Sequence, residues 1–513
     1  MNDRRQTNEG LGARAFDLAL LATLAFAITA APILLHLVSQ SLAIAFCLTT
    51  ACFIALYCER AIPIVILVSY LFQTMFVAMA SPYVAQYSDL DPMKAYNFIT
   101  TVGVWLTLMG RLAIGRDRAS PFVWRMILAT TGILGLAGLF FVLGLPLDSR
   151  GATIYMRNIG LPVMLFQICL LVASRRELAM PGTTALLLAL MVACGYLELF
   201  ALHNWLDFTN GWTYWDLAST ARRQSIDFVK ETRASGVVVA DTIDLLTTSL
   251  FNTALLSDLP LRVVRLQGPN FHPISFGYAL ATLSAFVAVH GRRLLPLAAL
   301  PLLLVVGAKG ALALLVLSLA YCLVSRFYQG VLAPIGLAAI LALYAAFAFY
   351  EGLLIGDFHV LGLIGGLNGF LGNPAGHTLG AGGNLSTNFA GIDWSKYQHE
   401  GATDIAVESA AGVLLYQMGI AGIAVIAIYL WLAKTAWRLF QSLRAPALAL
   451  TTASITIMLV NGLFQEEAWF APLALGLVLA FAGLTFGAVD RRVTIKIRTE
   501  GREGVRAGSL AAT

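Results

Sequence analysis

Apolar residues fill this chain in long runs broken by short polar connections. A helix rises about 1.5 Å per residue, so roughly 20 apolar residues cross the hydrocarbon core of a bilayer. Such runs lie at 16–38, 41–57, 62–80, 97–114, 122–145, 159–173 and 183–201. Four more follow at 273–289, 294–306, 310–324 and 331–350, and three at 405–432, 446–463 and 468–487. The pattern predicts an all-α polytopic membrane protein of about 14 transmembrane helices. Its expected organisation is a seven-span region over 1–201, a first large loop over 202–272 and a four-span core over 273–350. A second, glycine-rich loop over 351–404, three spans over 405–487 and a basic tail over 488–513 complete it.

Basic residues assign the faces, because cytoplasmic connections collect arginine and lysine. Alternation from a cytoplasmic N-terminus puts Arg4, Arg5, Arg14, Arg60, Arg111, Arg116, Arg118, Arg175 and Arg176 inside. Further along it adds Arg292, Arg293, Arg326, Lys434, Arg438, Arg444, Arg491 and Arg492. The short outer connections hold only Lys94, Arg150, Arg157 and Lys309. One miscounted span would swap the faces and destroy this asymmetry. Both termini are therefore expected in the cytoplasm and both large loops on the outer, periplasmic face. The start of the first loop, with Trp205, Trp212, Tyr214 and Trp215, suits a membrane–water interface, and 216–233 alternates at helical spacing. Glycines across 352–391 predict ordered turns more than helix.

Composition narrows the class. Charged residues make up 12% of the chain, against about 25% in soluble domains, so most of it faces lipid or other helices. The net charge of +5 is concentrated on one face, so it reads as a topology signal and not as nucleic-acid binding. Six cysteines sit within or beside apolar runs with no CxxC pair, which predicts neither a disulfide nor a cysteine metal site. The basic N-terminus precedes an apolar run without a small-residue cleavage site, so the first span is expected to be uncleaved.

Ionisable groups at the outer ends of spans are the candidates for chemistry. Arg262, Arg265 and His272 stand just before a span, and the arginine fork suits phosphate. An outer snorkelling anchor is the plainer alternative. Lys309 lies between two short spans with no polar loop around it, and reads equally as an anchor or as a fixed cation. The glycine run from Gly372 to Asn384 carries His377, a candidate base, and Asn384, a candidate substrate contact. Glu408 opens the twelfth span as a candidate base or as a helix cap. Arg157 adds positive charge on the same side and is a second substrate contact. Asp89 and Asp91 form a D-x-D of the kind that holds divalent metal, a pair that also arises readily by chance. Glu466 and Glu467 are read only as interfacial residues.

The order of these features resembles the O-antigen polymerase and ligase superfamily of membrane glycosyltransferases. Arg265-x-x-Gly268-x-x-x-x-Pro273 is similar to its R-x-x-G-x-x-x-x-P segment. Gly307-Ala-Lys309-Gly310 resembles its S-R-G position, Gly376-His377-Thr-Leu-Gly380 its glycine-rich loop, and Glu408 through Gly422 its H-N…G-x-x-G segment. Lysine stands at 309 where arginine is usual, and Glu408-Ser409 replaces H-N, which favours a polymerase or a divergent member over a ligase, with His377 or His399 as the alternative source of an imidazole. The resemblance covers roughly 262–422 and implies a GT-C-like bundle in a bacterial inner membrane. It implies transfer of an oligosaccharide from undecaprenyl diphosphate to a growing glycan at the periplasmic face, without metal or other cofactor. Arg265, Arg262 and Lys309 would stabilise the leaving diphosphate, and Glu408 or His377 would act on the acceptor hydroxyl. Arg157, His272 and Asn384 would bind substrate. A chain-length regulator or other polysaccharide-assembly protein is the expected partner. The alternatives are an O-antigen ligase, a protein O-oligosaccharyltransferase or a polysaccharide flippase. Flippases place ionisable sites near the midplane and show repeats, and neither is apparent here.

Overall fold

The computed structural model describes residues 2–225, 246–249, 262–328 and 330–510. Among the described residues it is an all-α membrane bundle with one two-stranded ribbon. The N-terminal helices are α1 (Asn2–His36), α2 (Gln40–Tyr57), α3 (Ile62–Ala80), α4 (Leu90–Lys94), α5 (Tyr96–Ala113), α6 (Pro121–Gly144), α7 (Ser149–Arg175) and α8 (Met180–Phe200). Two short helices, α9 (Leu202–Thr209) and α10 (Gly211–Ser225), open the first loop. Strands β1 (Thr247–Ser249) and β2 (Arg262–Val264) pair antiparallel, with Thr248 opposite Val263. Then follow α11 (Pro273–Val289), α12 (Leu294–Val306), α13 (Lys309–Phe327), α14 (Leu332–Ile355), α15 (Phe358–Gly372) and α16 (Trp394–Glu400). The chain ends with α17 (Ala410–Met418), α18 (Ile420–Leu443), α19 (Pro446–Asn461), α20 (Glu467–Phe470) and α21 (Leu477–Leu510).

Among the described residues, ten helices are long and apolar enough to cross a membrane, and four shorter apolar helices accompany them. The expected span at 97–114 is helical but belongs to neither set, because Asn97, Thr100, Thr101, Thr107 and Arg111 interrupt its apolar surface. The expected span at 405–432 divides into α17 and α18 at Gly419, whose φ of 55° no continuing helix adopts. The second loop differs from its expectation of turns. Apolar residues between the glycines build α15, and those glycines let it lie directly on α17.

The core runs through α3, α7, α11, α19 and the span Pro472–Ile495, while α1, α2 and α14 leave most of their surface outward. Gly483 and Gly487 form a small-residue pair against α7. A Cβ on Gly483 would stand 2.3 Å from the Phe166 carbonyl oxygen, and one on Gly487 2.5 Å from that of Leu170. Such contact lets backbones approach where lipid offers no hydrophobic driving force.

The two ends of the bundle differ in charge. At one end Glu59 is bridged to Arg111 (2.7 Å) and Arg176 (2.8 Å), and Asp117 to Arg111 (2.9 Å) and Arg175 (2.8 Å). Ser120 donates to Asp490 there at 2.5 Å. These groups come from connections that alternation assigns to one face. The opposite end holds the candidate site.

Candidate functional site

Arg265 follows β2, and its backbone N–H donates to the Leu246 carbonyl at 2.8 Å. The chain then turns through Gly268, whose φ is 63°, and a Cβ there would meet the Phe276 ring at 2.2 Å. Glycine is thus required twice over at this position. Glu198, 2% exposed near the end of α8, accepts the N–H of Gln267 (2.9 Å) and of Gly268 (2.7 Å). This buried carboxylate holds the turn that aims Arg265. The Arg265 Nε donates to the Val306 carbonyl at 3.1 Å, so the guanidinium reaches the α12–α13 turn just before Lys309. Lys309 is exposed as the first residue of α13 and has no ion-pair partner among the described residues.

His272 caps α11 by accepting the Ser275 N–H on Nδ1 at 3.3 Å. That role leaves the proton on Nε2, free to donate outward. The residue is exposed overall, yet the surrounding protein desolvates its imidazole. Desolvation draws its pKa below the ordinary histidine value and Arg265 acts the same way, while Glu467 opposes them. Arg265 is drawn down by the same burial and raised by the same Glu467.

Residues 465–467 join this half of the site to the other. The Tyr278 hydroxyl donates to Gln465 Oε1 at 2.8 Å, and Asn461 donates to Tyr278 (3.2 Å) and to the Gly310 carbonyl (2.9 Å). Glu467 faces Arg265 and His272 electrostatically. Glu466 is buried, accepting the Tyr155 hydroxyl on Oε1 (2.5 Å) and the Asn384 N–H on Oε2 (3.0 Å). Burial pushes its pKa up to about 8 against the pull of those two hydrogen bonds. Tyr155 also accepts the Leu385 N–H at 3.2 Å. Glu466, read from sequence as an interfacial residue, is instead the hub on which α7, the second loop and the turn between α19 and α20 converge. Only the fold brings together residues so far apart.

The second half is built on α15 and α17. Asn384 Oδ1 accepts the Glu408 N–H at 2.8 Å, and Glu408 holds a left-handed φ of 58°. Ser409, not Glu408, caps α17 by accepting the Gly412 N–H at 3.1 Å. The Glu408 carboxylate is thereby freed, and it lies 3.5 Å from Nδ1 of His359, which also contacts the Glu408 carbonyl at 3.1 Å. His359, on α15, escaped the sequence reading. His377 stacks on Tyr416 at 4.2 Å and points Nε2 at the Gly369 carbonyl at 3.4 Å. Its ring is engaged within the fold.

The other candidate residues lie apart from this cluster. Arg157 is half-buried, donates to Asn158 at 3.1 Å, and lies within electrostatic reach of Tyr70 and Asp91. Arg262 stands opposite Ser249 in the ribbon, and its side chain lies outside the described residues. Asp89 accepts the Gln86 N–H at 3.0 Å and Asp91 pairs with Lys94 at 3.4 Å, so both serve local structure. His399 contacts its own helix through the Ser395 carbonyl at 2.6 Å. The helical part of 216–233 is described as far as Ser225, and 226–233 lies outside the described residues.

One end of the bundle thus presents fixed cations (Arg265, Lys309), a neutral imidazole donor and a carboxylate backed by a histidine. The set can hold an anionic diphosphate and accept a proton from a hydroxyl. No protein family matches the chain, and neither the curated proteins nor the solved structures hold a similar one.

Proposed function

We propose that the protein is a lipid-linked oligosaccharide glycosyltransferase of about 14 spans, polymerising repeat units at the outer face of a bacterial inner membrane. The observation that carries this reading is the convergence of Arg265, His272 and Glu467 with Glu466, Asn384 and Glu408 around residues 465–467. Basic residues collect at the other end, which favours an outer position for the site.

In this reading an acceptor hydroxyl attacks the anomeric carbon. The bond to the undecaprenyl diphosphate oxygen breaks, and that oxygen leaves with the electron pair. Arg265 and Lys309 stabilise the charge developing there, and His272 Nε2–H donates to the same group. Glu408 takes the hydroxyl proton, with His359 steadying its carboxylate. Glu408 is favoured over His377 because the latter is stacked and turned inward. The leaving group is already stable, so no strong general acid is required.

The test is polymer length in membranes bearing Arg265 variants. Arg265→Ala should reduce transfer by about 100-fold or more, and Arg265→Lys should restore only part of it, because lysine lacks the bidentate fork. Full-length glycan from Arg265→Ala membranes with normal protein level would remove Arg265 from the site.

A further inference from the structure

At the end opposite the candidate site, a groove of about 1120 Å³ opens among α11, α12, α13 and α18. It exceeds the roughly 300–1,000 Å³ of ordinary small-molecule pockets. Leu297, Val316 and Leu323 line it and remain 63%, 51% and 59% exposed. Arg293, Arg326 and Arg444 also line it. They reach it from three separate connections, each assigned by alternation to the same face.

These arginines differ from their neighbours at this end in their partners. Arg111, Arg175 and Arg176 are neutralised by Glu59 and Asp117. Arg293, Arg326 and Arg444 are exposed and carry no ion pair among the described residues, and Arg444 lies over the Phe440 ring at 5.4 Å. Three unpaired guanidinium groups beside an exposed apolar wall match an anionic head on an apolar tail. We infer that the groove formed by Arg293, Arg326, Arg444 and the leucine-lined wall of α12 and α13 is a binding site for an anionic phospholipid of the adjacent leaflet. The arginines take the phosphate, and the wall takes an acyl chain. The inference is independent of the reaction proposed for the other end.

The experiment uses the purified, delipidated full-length chain titrated with phosphatidylglycerol, phosphatidylcholine or inorganic phosphate. Phosphatidylglycerol should bind, raising the unfolding temperature, and the other two should not. Neutralising each arginine should weaken binding roughly fivefold, so R293Q/R326Q/R444Q together should weaken it about 100-fold. Val316→Trp should fill the groove and weaken binding without changing charge. That variant decides the matter alone if the triple variant does not fold. Equal binding of phosphatidylcholine would overturn the inference, as would an equal response to inorganic phosphate or full affinity in Val316→Trp.

Discussion

Glu408 occupies a backbone region that costs a residue with a side chain about 1–3 kcal/mol, at φ 58°. The conformation persists because Asn384 accepts its N–H at 2.8 Å and Ser409 takes over the helix cap. Glu408→Gly should therefore fold at least as stably as the wild type and yet lose transfer activity. Thermal unfolding beside a turnover assay measures both, and retained activity would assign the strain to structure alone. Glu408→Gln should lower turnover by roughly 100-fold or more, whereas His377→Ala should change it only a few-fold. Glu466 offers a different handle. Its pKa of about 8 exceeds the ordinary carboxyl value of 4.5, so the folded state keeps a proton that the unfolded chain has lost. Its contribution is complete below about 4.5 and is lost as pH rises through about 8. Stability should thus fall across that window, and Glu466→Gln should flatten the fall. An unchanged slope in that variant would contradict the assignment.

Elements carry the next set of consequences. Glu198 does not reach the site but fixes the Gln267–Gly268 turn through two backbone N–H groups. Glu198→Ala leaves both donors buried, at about 1–3 kcal/mol each, and by misplacing Arg265 should lower kcat more than it raises KM for the lipid-linked substrate. Gly483→Leu should separate the last span from α7 and abolish assembly of the bundle, seen as aggregation on extraction. The hydrophobic runs made most helices legible, because length and apolarity suffice to define a span. Gly268 stood out in the sequence as well, and it proves sterically necessary. Glu198, Glu466 and His359 were not. Each resembles an ordinary polar residue near a helix end, and its partner lies far along the chain, as Tyr155 does from Glu466. The α15 helix was hidden because frequent glycine masks an apolar helix whose small residues serve close packing.

The whole molecule is polarised between two ends. One gathers ion pairs and basic connections, the other the polar cluster in which Tyr155 and Asn384 hydrogen-bond to Glu466 and Glu467 acts electrostatically on Arg265 and His272. Charge alternation grouped the connections around Glu59, Asp117 and Arg175, and the ion pairs among them show that these three lie together at one end. A membrane-impermeant thiol reagent on intact cells should label Lys309→Cys and not Arg176→Cys in a chain whose native cysteines are replaced. The reverse pattern would invert the orientation. In the reading proposed above, the cluster around Arg265 and Glu466 performs glycosyl transfer and not transport. The most direct measurement incubates the purified protein in detergent with lipid-linked repeat units and reads glycan length. Stepwise lengthening, lost in Arg265→Ala, is the predicted result. No lengthening by a folded, monodisperse protein would contradict the account, because a flippase has no membrane to act across there.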